Sequence, residues 1–215
     1  MSEKVVTPEG QLSFPFIFVA KPKMNAQEND RPRFSTAIVF PEGADLQALK
    51  QIVLDAAKAK FGDKASDMFR SKALRSPFRT DGESKGYAEG TTFIAAWSHN
   101  RPGIVSIYPN PSDNGRPTPI TEADADKVYP GVIAKLLVSA FAYDNSGNKG
   151  VSFSLAGVQI IKDGERIDGS IAAVDAFDAD KDAVADLADL TDSLDGTAAP
   201  TTAPSSSDEV LDDLM

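Results

Sequence analysis

Two long β-rich runs separated by a stretch of turn chemistry constrain this chain more than any other feature. Residues 135–143 (KLLVSAFAY) and 151–161 (VSFSLAGVQII) flank residues 144–150 (DNSGNKG). In that connector Asn145, Gly147, Asn148 and Gly150 all tolerate the left-handed backbone that a chain reversal needs. The pattern predicts an antiparallel hairpin with a longish loop over 144–150. Leu137, Ser139, Phe141 and Tyr143 point one way, while Leu136, Val138, Ala140 and Ala142 point the other. Neither face is strongly polar, so one packs on a core and the other carries mixed, half-exposed side chains. A long two-sided hairpin suits a curved sheet or small barrel, and Gly157 permits the bend.

The flanking segments supply further strands. Residues 12–23 (LSFPFIFVAKPK) alternate as a strand, and Pro15 assigns it to a sheet edge or a bulge. Residues 33–40 form a second strand, followed after Pro41-Glu42-Gly43 by a helix that starts at an Asp45 cap and stops at Gly62. Residues 63–74 add a shorter helix, and 75–90 (RSPFRTDGESKGYAEG) read as an exposed functional loop. Residues 91–98 and 103–108 give two more strands, and 121–128 a short helical turn. The expected fold is mainly β: about six strands, with a helical insertion after the second and no internal repeat.

Charge divides the chain sharply. Of 22 Lys+Arg and 32 Asp+Glu, residues 170–215 hold one lysine, Lys181, and 12 acids, a balance of −11. The preceding 169 residues hold 21 cations and 20 acids and are close to neutral. The expected organisation is a globular domain over 1–174, a flexible Ala/Asp-rich then Pro/Ser/Thr-rich linker over 175–207, and an acidic–apolar tip over 208–215 (DEVLDDLM). The tip residues Asp208, Glu209, Leu211, Asp212, Asp213, Leu214 and Met215 are candidates for binding partner proteins, since a tail serving solubility alone has no use for Leu and Met.

Several chemistries are disfavoured. The chain has no cysteine and a single histidine, His99, so disulfides, thiolate catalysis, a His-based zinc site and a Ser-His-Asp triad lack their parts. No apolar run is long enough for a membrane helix and the N-terminus has no signal-peptide core, which fits a cytoplasmic protein. Asp163, Glu165 and Asp168 lie close enough in sequence to hold Mg²⁺ for a nuclease, but a charged turn closing the barrel explains them more simply. No enzyme motif appears, and no cofactor or metal is expected.

Cations interleaved with rings are the feature that carries function. Residues 58–79 contain seven Lys or Arg against two Asp. Lys72, Arg75 and Arg79 belong to that run, Lys21, Lys23 and Arg33 flank the first two strands, and Arg101 and Lys149 sit on connections. Phe78, Tyr87, Trp97, Tyr108 and Tyr143 are the rings nearest these charges. Single-stranded nucleic acid needs this pairing, because cations neutralise phosphates while flat rings stack bases without reading them. Most of the 16 Phe and Tyr must nonetheless be core, and Trp97, among Phe93, Ile94 and Ala95, suits burial as well as stacking.

Residues 32–40 (PRFSTAIVF), 76–79 with 86–91 (SPFR, GYAEGT), 101–103 (RPG), 129–131 (YPG), 142–155 (AYDNSGNKGVSFSL) and 159–169 (QIIKDGERIDG) together resemble the phage single-stranded-DNA-binding proteins with an OB-fold. The resemblance spans about residues 12–178. It implies a five-stranded Greek-key barrel binding single-stranded DNA largely without sequence preference, in phage replication, recombination or repair. The tail is similar to those with which bacterial and phage single-strand binders recruit replication proteins, but it ends Leu214-Met215 instead of Pro-Phe. Self-association is left open by the sequence. The competing reading is a phage scaffold or structural protein whose tail mimics nucleic acid.

Overall fold

A computed structural model describes residues 3–23, 30–145 and 147–167. The expected boundaries at 174 and 207 and the tip at 208–215 lie outside the described residues. The strands are β1 (Lys4–Val6), β2 (Gly10–Lys21), β3 (Arg33–Phe40), β4 (Thr92–Ser98), β5 (Gly103–Pro109), β6 (Pro117–Pro119), β7 (Ile133–Asn145) and β8 (Asn148–Lys162), with helices α1 (Gln47–Phe61) and α2 (Ala65–Arg70) between β3 and β4.

Five strands close on themselves in the order β2-β3-β4-β8-β7 and back to β2. All pairs are antiparallel except β4–β8. Counted from β2, that is a 1-2-3-5-4-1 ring with one parallel seam, the Greek-key barrel that the family resemblance implies. β1 adds to the β7 edge, and β5 pairs parallel to the far half of β8 and carries β6. β1 and β6, at three residues each, are too short to show periodicity, and β6 is bracketed by Pro117 and Pro119, as suits a sheet edge.

The hairpin of β7 and β8 is tighter than expected. Pairing continues through Tyr143↔Gly150, Asp144↔Lys149 and Asn145↔Asn148, so only Ser146 and Gly147 connect the arms. Gly147, at φ +85°, takes the left-handed position, while the other polar turn residues serve as ladder positions. Near the middle, Leu137 faces Gly157 and Val138 faces Leu155, leaving Ala156 as an extra residue. At this bulge β8 leaves β4 (Trp97↔Ser154) and joins β5 (Gly103↔Gly157). A Cβ on Gly157 would stand 3.3 Å from the Gly103 carbonyl oxygen, so the bend expected there is also a close strand approach.

Core positions follow alternation on most strands. Leu136, Val138 and Ala140 of β7, Val151, Phe153 and Leu155 of β8, and Ile38, Phe40, Ile94 and Ala96 of β3 and β4 are buried. α1 turns Leu49, Ile52, Val53 and Ala57 into the same cluster. The N-cap is Leu46, one residue later than the cap expected at Asp45, whose carboxylate accepts the Gln47 N–H at 3.0 Å in a turn leading into the helix. In β2, Ser13 faces Ala37 but Phe16 faces Ser35, so one extra residue intervenes, with Phe14 at φ 48° and Pro15 beside it. Of the edge or bulge that Pro15 predicts, the structure has the bulge, since β2 pairs with both β3 and β7. It flips the strand: Leu12 and Ile17 point inward, five residues apart, while Phe14 and Phe16 swing out.

The segment 163–167 closes the barrel near β7. Tyr129 donates its hydroxyl to Asp163 at 3.1 Å, the Gly164 N–H donates to Tyr129 Oη at 3.1 Å, and the Arg166 guanidinium lies 4.7 Å from the Tyr129 ring centre. Asp163 is thus part of a structural turn; Asp168 lies outside the described residues.

Candidate nucleic-acid interface

The outward residues of β4 are Phe93, Ala95 and Trp97, because Ile94 and Ala96 face the core. Register across the sheet aligns Phe16 of β2, Ser35 of β3, Trp97 of β4 and Ser154 of β8 in one lateral row. The row alternates large ring, small residue, large ring, small residue. With strands about 4.8 Å apart, the rings of Phe16 and Trp97 stand roughly 10 Å from each other across a serine floor. Phe16 is 40% exposed, and Trp97 is half-buried.

Trp97 is held upright by its neighbours. Phe141 of β7 and His99 meet it edge-on at 5.6 and 5.4 Å, and the Arg33 guanidinium covers it at 5.0 Å. Burial against the barrel lowers the Arg33 pKa from its ordinary value, partly offset by Asp30, yet an arginine so perturbed remains charged at physiological pH. Lys21 pairs with Arg33 across the β2–β3 ladder and is exposed, as is Lys23.

From Ala95 the surface continues into an open groove of about 880 Å³ between the hairpin and the helical insertion. Its floor includes Ala95 and Ser152, and its cations are Lys50, Lys72, Arg75 and Arg79. Phe78 and Tyr143 contribute rings. Arg75 is placed by backbone bonds, donating N–H to the Lys149 carbonyl at 3.0 Å and accepting from Val151 N–H at 3.1 Å. Tyr143 lies over its cross-strand partner Gly150, where a Cβ would stand 2.5 Å from the phenol oxygen. Lys72 closes α2 in a left-handed conformation, φ 57°, a position that glycine fills without strain.

The predicted residues therefore fall into groups. Lys21, Arg33 and Trp97 gather on the open barrel face, and Lys72, Arg75, Phe78, Arg79 and Tyr143 gather in the adjoining groove. Phe78 also packs edge-on against the core ring Phe153 at 5.9 Å, so only part of it faces the groove. Arg79 is engaged by Asp81, whose carboxylate accepts from Nε at 3.0 Å. Those hydrogen bonds raise the Arg79 pKa and lower that of Asp81. Lys149 stands beside the hairpin turn with Nζ 3.4 Å from Asp144 and 5.9 Å from the Phe61 ring centre. Arg101 pairs with Glu122 at 3.9 Å and lies 5.9 Å from the Phe18 ring, at the β4–β5 connection.

Two predicted rings do not join this surface. Tyr87 is 6% exposed, its hydroxyl donating to Ser13 Oγ at 2.8 Å and its ring meeting Phe93 edge-on, so no face is open to a base. Tyr108, 71% exposed, sits on the β5–β6 extension beside Ile160 and Lys162, at the opposite end of β8 from Ser152. The loop 75–90 is correspondingly no free loop. Arg75 bridges to Gly150, Arg79 bridges to Phe93, and Tyr87 is buried, which straps the segment to the barrel. Phe16, Phe141, Lys50 and the small residues Ser35, Ser152 and Ser154 escaped the sequence reading. A proline in a Phe-rich strand was the signal for Phe16, since the bulge decides which way its neighbours point.

Residues 3–188 match the family model described as the Enterobacter phage Enc34 single-stranded-DNA-binding protein. That span covers most of the chain. The chain belongs to this family. Its relatives include a protein designated p50 from Acyrthosiphon pisum secondary endosymbiont phage 1, 31% identical over 142 residues, covering 62% of this chain and 70% of that protein. Among solved structures, the single-stranded DNA-binding protein of bacteriophage Enc34 in complex with single-stranded DNA is 18% identical with a TM-score of 0.56, over 76% of this chain and 88% of the other. A second structure of the single-stranded DNA-binding protein from bacteriophage Enc34 gives 17% identity and a TM-score of 0.55, over 81% of this chain and 90% of the other. At these identities the likeness bears on the fold, which is mainly β and OB-like in both.

Proposed function

We propose that this chain binds single-stranded DNA, largely irrespective of sequence, along the outer faces of β3, β4 and β8 and into the groove beneath Arg75. The observation that carries this reading is the lateral row Phe16–Ser35–Trp97–Ser154 beside the cations Arg33, Lys21 and Arg75. Rings separated by serines accept stacked bases of any identity, and the flanking cations accept phosphates. The floor offers small side chains in place of a set of convergent donors and acceptors, which is why the reading is sequence-tolerant. The family membership and the solved Enc34 protein bound to single-stranded DNA support it.

In this reading the protein coats and protects exposed strands during phage replication, recombination or repair in the host-cell cytoplasm. The acidic extension recruits partner proteins through Asp208–Met215 and competes with DNA for the cationic surface, since residues 170–215 carry −11 against a near-neutral body. Titrating the protein with oligothymidylate while following Trp97 fluorescence tests the core of the proposal. Salt-sensitive quenching that double-stranded competitor does not reverse is the expected result. Unchanged fluorescence together with no mobility shift at low salt would refute it.

A further inference from the structure

Phe93 is an outward residue of β4, yet it is 3% exposed. Its cover is the strap 79–90. Tyr87 meets the Phe93 ring at 5.2 Å and 73°, while the Lys85 ammonium stands 4.9 Å and the Arg79 guanidinium 5.5 Å from the ring centre. One buried ring thus seats two cations on the line that runs through Ala95 to Trp97, where Arg33 is seated in the same manner.

The strap is built to hold them. Arg79 and Phe93 exchange backbone hydrogen bonds at 3.0 and 2.8 Å. The turn that carries Lys85 (Glu83–Lys85) is closed by bonds from Lys85 N–H and Tyr87 N–H to the Gly82 carbonyl, at 2.8 and 3.2 Å. Gly82 packs on the Tyr87 ring so closely that a Cβ would stand 2.4 Å from Cδ2. The Tyr87 hydroxyl then anchors the turn to the barrel through Ser13 Oγ. Among the described residues Asp81 is the acid that pairs with Arg79. Arg79, Lys85 and Asp81 sum to +1, while Glu83 and Glu89 bring the strap 79–90 as a whole to −1.

Phe93 and Trp97 lie four residues apart on one strand, roughly 13 Å at the usual rise. Between them Ala95 is exposed and uncharged. A phosphodiester chain following β4 meets cations at both ends and a bare step between. Seating a long side chain on an aromatic face removes the freedom that binding would otherwise have to remove.

We propose that Lys85 and Arg79, seated on Phe93, form a second phosphate-binding station for a single strand on β4, and that Tyr87 is the positioning residue that holds it. This deepens the single-strand-binding reading above and rests on it. A strap that merely covers Phe93 would affect stability without changing the number of counterions released on binding.

The test is the slope of log K against log salt for the full chain with oligothymidylate. For single strands each lost phosphate contact lowers the slope magnitude by about 0.7. Lys85→Ala is expected to lose about 0.7, and Lys85→Ala with Arg79→Ala about 1.4, both at exposed or half-exposed sites with thermal unfolding unchanged. Asp81→Asn frees Arg79 and tightens binding at low salt. Tyr87→Phe, which keeps the ring and loses the Ser13 bond, is expected to reduce the slope while leaving Trp97 quenching at saturation intact. Wild-type slopes in both the single and the double cation variants would overturn the station alone. Failure of the unmodified chain to bind the oligonucleotide at all would overturn the functional reading, and the station with it.

Discussion

Trp97 is a side chain whose identity matters through its surface more than its volume. Phe141 and His99 meet it in T-shaped contacts and the Arg33 guanidinium lies over it, an arrangement that fixes the indole before any base arrives. Trp97→Ala is expected to weaken oligothymidylate binding by about 1–3 kcal/mol, roughly 5- to 150-fold, with little change in salt slope, because stacking releases no counterions. Fluorescence anisotropy with a labelled oligonucleotide measures both quantities. Lys72 makes the opposite case. Replacing it by glycine relieves a left-handed lysine but removes a charge, so Lys72→Gly should leave the unfolding midpoint within a degree or two while the salt slope falls by about 0.7. A markedly lower midpoint would show that the lysine serves packing instead.

At the scale of elements, the long hairpin was legible because alternation persists through residues 135–140 of one arm and 151–155 of the other, up to the bulge at Ala156, and the turn residues are explicit. Its connection was misread because Asn and Gly tolerate several conformations, and only the ladder register reveals that two residues suffice. β2 shows the complementary failure. Pro15 announced a bulge, but whether Phe14 and Phe16 face the core depends on where the extra residue is inserted, and that is settled by pairing with β3. Tyr87 lies near cations in sequence, yet it is buried because the strap folds onto Ser13, which is 74 residues away.

Glycine contacts support an element-scale prediction. Gly131 has φ +113°, and a Cβ there would lie 2.0 Å from the Glu165 carbonyl oxygen, where the closing turn meets the start of β7. Gly131→Ala combines backbone strain with a steric conflict that backbone atoms must relieve, for a cost of at least about 2 kcal/mol. A fall of about 5 °C or more in the unfolding midpoint is expected for a domain of this size, and calorimetry would register it. No change would mean that the 163–167 turn sits elsewhere in solution.

For the whole molecule, charge partition is the governing quantity. A near-neutral body gathers part of its positive charge on one face, while a segment with −11 follows it along the chain. Deleting residues 170–215 is expected to tighten single-strand binding, most strongly at low salt, where electrostatic competition is least screened. Affinity unchanged at two salt concentrations would remove the competing role of the tail while leaving the barrel face untouched.

The sequence by itself determined the strand-rich class, the helical insertion, the hairpin and the charge partition, because these rest on local periodicity, turn chemistry and composition, which neighbouring residues specify alone. Only the tertiary structure decided that Phe16 and Trp97 share a row, that Tyr87 is buried, and that Arg33 lies over Trp97 and Lys85 over Phe93 of the same strand. Those facts depend on strand register and on a one-residue bulge, and register is fixed by partners many tens of residues distant, whose pairing no local pattern encodes.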